Sequence, residues 1–134
     1  MTEAFDAAAL RHWQDADLLA KQGRRANADQ LYGFAAECGI KSALQACGSA
    51  GQIGRKHRRH IDELWDAARV QPIQKTFSGL ASLLQLKNPF HDWSTDARYG
   101  TGEVTEEALN RHRVCAQRIL SAARLGGARR PGAQ

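Results

Sequence analysis

At 134 residues, with 43% hydrophobic and 25% charged side chains, the chain has the composition of one globular domain. That excludes disordered and fibrous classes and makes a two-domain arrangement unexpected. Lys and Arg outnumber Asp and Glu by 19 to 14, a net charge of +5. No apolar run approaches the roughly eighteen residues of a membrane span.

The beginning of the chain, with Glu3 and Asp6, lacks the basic start of a signal peptide, so a soluble cytoplasmic protein is expected. Only 3 prolines, Ala-rich stretches such as Ala7 to Ala9, and the scarcity of β-branched clusters favour helix throughout. Phe5, Ala9, Trp13, Ala16 and Ala20 recur every three or four positions and predict a first helix over 2–22, closed by Lys21 and Gly23. Asn27 with Gln30 three residues on reads as an N-cap and capping box, with Asp29 in the first turn, so a second helix is expected from about Ala28 to Cys47.

One face of that helix is built mostly of small residues, including Ala28, Ala35, Gly39, Ala43 and Ala46, which predicts a central helix that its neighbours approach closely. Glu37 and Lys41 are placed four apart in the favourable order for an ion pair. The glycine-rich stretch 48–54 breaks the pattern. Ile61, Leu64, Trp65 and Ala68 mark a short third helix that stops before Pro72. A fourth, ended by Asn88-Pro89, shows Ile73, Phe77, Leu80, Leu83 or Leu84, and Leu86. Residues 90–104 have no helical or strand period and read as an ordered loop packed through Trp93 and Tyr99. Thr105 with Glu106 and Glu107 starts a last helix, whose inner face is Leu109, His112, Ala116, Ile119 and Ala123, and Gly126-Gly127 closes it. The expected fold is therefore all-α: a single-domain, up-and-down bundle of four main helices plus one short helix over 1–127, with a flexible basic tail over 128–134.

The charge is unevenly spread. Residues 1–60 carry nine basic and six acidic side chains, 61–110 four and eight, and 111–134 six and none. Arg55-Lys56-His57-Arg58-Arg59-His60 is the densest cluster. It reads either as a solvated loop or as a surface for phosphates of a nucleotide or nucleic acid. Cys38, Cys47 and Cys115 match neither a zinc pattern nor a disulfide framework and are expected as buried thiols. His57 and His60 sit among four cations that would repel a metal, and no phosphate loop or nucleophile elbow is present, so neither a metal nor a cofactor is expected.

The order of these features resembles a family. The stretch from Ala28 to Leu44, with its Glu37, Lys41, small residues and Leu44, is similar to the second helix of HEPN domains, the higher-eukaryote and prokaryote nucleotide-binding domains. Trp13 to Leu19 resembles their first helix, and His60-Ile61-Asp62-Glu63-Leu64 their His-x-x-x-Leu entry to the third. Ala97-Arg98-Tyr99 resembles the Arg-Tyr-Pro signature of the nucleotidyltransferase-associated type, with Gly100 where Pro is usual. The resemblance spans about Phe5 to Leu125 and implies a homodimeric helical bundle of toxin-antitoxin or defence systems, either a metal-independent ribonuclease or a nucleotide- or RNA-binding module. A nucleotidyltransferase or an antitoxin is the protein partner it implies.

Active members pair an Arg with a His across a gap of four to six residues, at or near the start of the last long helix. Arg98 occupies the Arg position, but Glu103, Val104 and Thr105 supply no His. The leading expectation is thus a binding module that holds phosphate through Arg55, Lys56, Arg58, Arg59, His60, Arg98 and Tyr99. The alternatives are a ribonuclease using Arg55 and His60, and a helical dimer that docks a protein through the small-residue face of the second helix. His60 reads first as a cap or cross-bundle hydrogen bonder, and Arg98-Tyr99 reads equally as a clamp onto Asp92 or Asp96 or as a phosphate-binding pair. His112 is expected as a satisfied core histidine, and Trp13, Trp65 and Trp93 as anchors before base-stacking platforms.

Overall fold

The computed structural model describes residues 4–47, 60–69, 77–93 and 104–125. All of the secondary structure in them is helical: α1 (Phe5–Lys21), α2 (Arg25–Cys47), α3 (Ile61–Arg69), α4 (Ser78–Leu84) and α5 (Glu106–Ala122). The all-helical bundle expected from the periodicity is present. No helix among the described residues is long and apolar enough to cross a membrane. The tail over 128–134 lies outside them.

The α1 to α2 reversal takes only three residues. Gly23 adopts the left-handed conformation, φ 76°. The Gly23 N–H bonds the Ala20 carbonyl at 3.1 Å and the Arg24 N–H the Leu19 carbonyl at 2.9 Å, a paired closure that satisfies the last carbonyls of α1. The Arg24 carbonyl already accepts the Ala28 N–H at 3.0 Å, so α2 begins at Arg25 and not near Ala28. Asn27 is therefore inside the helix, and the capping box read from Asn27 and Gln30 is not formed. Asp29 does not serve the helix dipole either, because its side chain turns inward.

α2 is the axis of the molecule, as its small residues predict. Trp13 of α1 meets Tyr32 at 5.4 Å between ring centroids, and Lys41 lies 5.7 Å over the Phe5 ring, so α1 and α2 run antiparallel. α5 lies against another side: Asp29 meets His112, and Gly39 faces Ile119 and Leu120, a progression that makes α2 and α5 parallel. A methyl group on Gly39 would stand 3.0 Å from Ile119 Cγ2 and 3.1 Å from Leu120 Cδ1, so glycine sets the helix separation there. A methyl group on Gly33 would overlap the Trp93 indole. The small-residue face is thus occupied within the chain as far as Ala43: Ala28, Ala35, Gly39 and Ala43 are buried and Ala46 is exposed, which leaves little of this face to a protein partner.

Ile61, Leu64, Trp65 and Ala68 all point into the core from α3. α4 buries Leu80 and Leu84, whereas Leu86 lies beyond the helix and is 56% exposed, contrary to its expected place on the apolar face. Ile73 lies outside the described residues. Trp65 Nε1–H and Arg69 donate to the Leu86 carbonyl, and Arg69 also to that of Leu84, so α3 holds the exit of α4. The Asn88 side chain donates to the Asp62 carbonyl at 2.9 Å and accepts from the Phe90 N–H at 2.8 Å, turning the chain towards Trp93.

The Thr105 hydroxyl caps α5 by accepting the Ala108 N–H at 3.0 Å, as expected. The other end is closed by Arg124 at φ 64°, with its N–H on Ser121 and that of Leu125 on Leu120, so the closure precedes Gly126-Gly127 and uses a residue other than glycine. Cys38 and Cys115 are buried, Cys47 is half-buried, and no disulfide joins the three.

Candidate functional site

Of the sequence-derived site residues, His60 alone lies in the described part; Arg55, Lys56, Arg58, Arg59, Arg98 and Tyr99 lie outside it. His60 plays both of its bland parts at once. Its carbonyl starts α3 by accepting the Leu64 N–H at 2.8 Å, and its ring reaches across to α2. Because a carboxylate only accepts, Nδ1–H donates to Glu37 Oε1 at 2.9 Å. The other Glu37 oxygen accepts the Lys41 ammonium at 3.0 Å. The Glu37 to Lys41 pair expected from the spacing is therefore formed, is buried, and is extended by a third member. A buried carboxylate needs such donors to offset its desolvation.

The His60 side chain is 56% exposed although one nitrogen is anchored. Around it lies an aromatic patch: Phe34 at 6.0 Å and Trp93 at 6.4 Å from the imidazole, with Trp93 edge-on to Phe34 at 5.5 Å and His12 5.8 Å from Phe34. Burial, and then the charge of Arg11, lower the His12 pKa, so this second imidazole is neutral at pH 7. The sequence reading missed Glu37 as the partner of His60, and missed Phe34 and His12 altogether. Phe34, Glu37 and Lys41 are spaced three and four apart on one stripe of α2, a pattern that the emphasis on the small-residue face passed over.

A second histidine has a different environment. His112 on α5 is 2% exposed, with Nδ1 2.6 Å from Asp29 Oδ1 and Nε2 2.8 Å from Asp92 Oδ1. Both nitrogens face acceptors, so both carry protons and the ring is an imidazolium. Burial opposes that charge, but the hydrogen bonds and charges of Asp29 and Asp92 outweigh it and raise the pKa. Asp92 Oδ2 accepts from Arg111 at 2.8 Å. Burial raises the Asp92 pKa, yet the Arg111 and His112 hydrogen bonds prevail and bring it to about 2. Phe90 stacks on the His112 ring at 4.9 Å, and the Trp93 indole N–H donates to the Asp29 carbonyl at 2.9 Å. This cluster joins α2, α5 and the turn at 88–93, and His112 is the satisfied core histidine expected of it.

Trp13, Trp65 and Trp93 are all buried, as anchors should be. The Tyr32 hydroxyl donates to Asp17 at 2.8 Å, and burial together with that carboxylate raises its pKa far above the ordinary value. Arg113 joins the same carboxylate at 3.2 Å, tying α1 to α5. Burial pushes the Cys115 thiol up to about 12, which leaves it protonated and a poor nucleophile. No group of three or more His, Cys, Asp or Glu among the described residues is placed to hold a metal ion.

Beside these buried ties, His60 presents a half-exposed imidazole seated on a buried carboxylate next to aromatic rings. No protein-family model, curated protein or solved structure matches the chain.

Proposed function

We propose that the chain is a HEPN-like module that binds the phosphates of RNA or of a nucleotide. The observation that carries this reading is His60: the run Arg55-Lys56-His57-Arg58-Arg59 leads directly into a residue whose ring is anchored by Glu37 yet half-exposed beside Phe34. Arg55, Lys56, Arg58 and Arg59 supply charge for the backbone, Arg98 a bidentate donor, and His60 and Tyr99 polar contacts at the end of the run. In this reading the chain is a cytoplasmic homodimer of a toxin-antitoxin or defence system, working with a nucleotidyltransferase or an antitoxin. Filter binding of single-stranded RNA and of ATP at low and high salt tests it. Binding that weakens steeply with salt is expected; no binding at low salt, or binding insensitive to salt, overturns it.

One feature favours a second reading, a metal-independent ribonuclease. Glu37 fixes the tautomer and orientation of His60 through Nδ1, and no described residue bonds Nε2, the arrangement a proton-transfer group requires. Arg55 would neutralise the phosphate oxygens while His60 takes the proton of the 2′-hydroxyl or gives one to the leaving oxygen. Cleavage of RNA in the presence of EDTA, lost in His60→Ala, is the expected result. Cleavage unchanged in His60→Ala removes the assignment.

A further inference from the structure

Between α3, α4 and α5 lies a groove of about 310 Å³, lined by none of the residues that surround His60. Its floor is apolar, made by Leu83 and Val114 over the buried Trp65, together with Leu86, one of the two large apolar side chains exposed among the described residues. Among the described residues, the charged side chains that line it are all cations: Lys87, Arg111 and Arg118, with no Asp or Glu. Arg111 is committed, its guanidinium held 2.8 Å from Asp92 and 3.5 Å from the Pro89 carbonyl. Lys87 and Arg118 are exposed and have no ion-pair or hydrogen-bond partner among the described residues.

An apolar floor under two unneutralised cations complements a small molecule with an apolar body and one anionic head. Burying the body recovers the transfer free energy of its apolar surface, while the head stays at the rim, where charge attraction costs little desolvation. The volume is at the lower end of the range for small-molecule sites, about 300–1,000 Å³. It accommodates a compact ligand and not a long lipid.

We propose that the groove between the 83–89 segment and α5 binds a small amphiphilic monoanion, an acyl or aryl carboxylate or phosphate, with its body on Leu86 and Val114 above the buried Trp65 ring and its head between Lys87 and Arg118. The proposal is independent of the phosphate site at His60.

Trp65 supplies a local reporter, because its indole N–H lies at the groove and donates to the Leu86 carbonyl at 3.1 Å. Decanoate, kept below its micelle concentration, is titrated into the full chain while the three indole N–H resonances are followed by NMR, with Trp65→Phe used to assign that of Trp65. The expected result is a saturable shift of the Trp65 signal, with that of Trp13 between α1 and α2 unmoved. Decanol should bind at least tenfold more weakly, and Lys87→Ala with Arg118→Ala, two surface changes, should weaken decanoate about tenfold without changing the thermal midpoint. An unmoved Trp65 signal overturns the proposal. So does equal binding of decanoate and decanol, or decanoate binding unchanged in the double variant; the groove would then be an apolar surface without a specific anion site.

Discussion

The two histidine clusters use the same chemistry to opposite ends. His112 has a carboxylate on each nitrogen, an aromatic ring stacked on its face and 2% exposure. His60 has a carboxylate on one nitrogen only, and its side chain is 56% exposed. A histidine with both ends spent serves the fold, whereas one with a fixed end and an open end is equipped to meet a ligand. Trp93 stands between them, its N–H on the Asp29 carbonyl and its ring against Phe34 and His60, so the structural cluster positions the wall of the open one.

That difference is broken most severely at the buried end. His112→Ala leaves Asp29 inside the protein without its countercharge and should cost about 3–5 kcal/mol in urea denaturation, a large fraction of the roughly 5–15 kcal/mol that holds a domain folded. Gly33→Ala comes next, because the added methyl displaces the Trp93 ring that both clusters share. A loss of about 1–3 kcal/mol is expected, with a near-ultraviolet circular dichroism change reporting the moved indole. A normal denaturation midpoint for Gly33→Ala would show that Trp93 is not packed on α2.

The pH dependence of stability separates the two clusters further. The His112 pKa is raised above 6.5, so its contribution is complete below that pH and is lost as pH rises through the higher folded value. Asp92 works in the other direction: its pKa falls from 3.8 to about 2, so its contribution is present above 3.8 and is lost as pH falls towards 2. For these two groups together, stability is fullest between the two ordinary values, 3.8 and 6.5. Urea melts across pH should show a decline on the alkaline side that His112→Gln flattens. An alkaline limb that is unchanged in His112→Gln would mean that another group carries it.

The smallest effect expected lies far from both clusters. Arg124 holds a left-handed conformation at the end of α5 that glycine adopts without strain. Arg124→Gly should relieve that backbone strain by about 0.5–1 kcal/mol while giving up the side chain's own interaction, so its urea midpoint should move less than that of Gly33→Ala.

Much of the architecture was legible because it depends on local spacing. The inner faces of α1, α3 and α5 follow from apolar residues three and four apart, and Thr105 marks its helix start by its own hydroxyl. The start of α2 was misread for an equally local reason: Asn27-x-x-Gln30 fits a capping box, but the paired closure at Gly23 and Arg24 ends α1 and opens α2 before Asn27 is reached. Leu86 was misplaced because the period continues past the point where α4 ends at Leu84. The clusters were not legible, since their members lie far apart in sequence. Asp29 and His112 are 83 residues apart, Glu37 and His60 23, and no periodicity reports which carboxylate a distant imidazole meets. His112 was recognised as a core residue, yet the Asp29 and Asp92 that make it tolerable there had no signal of their own.

The central claim is that phosphate is held where the basic run meets His60, and a titration of fluorescein-labelled single-stranded RNA by anisotropy tests it most directly. Wild type is compared with a variant carrying Arg55→Gln, Lys56→Gln, Arg58→Gln and Arg59→Gln, between roughly 50 and 200 mM salt. Four phosphate contacts to a single strand correspond to a salt slope of about 3, so wild type should lose at least about fifty-fold in affinity over that range, and the variant should bind weakly with a slope shallower by about 3. Equal affinity and equal slope for the two proteins would contradict the account.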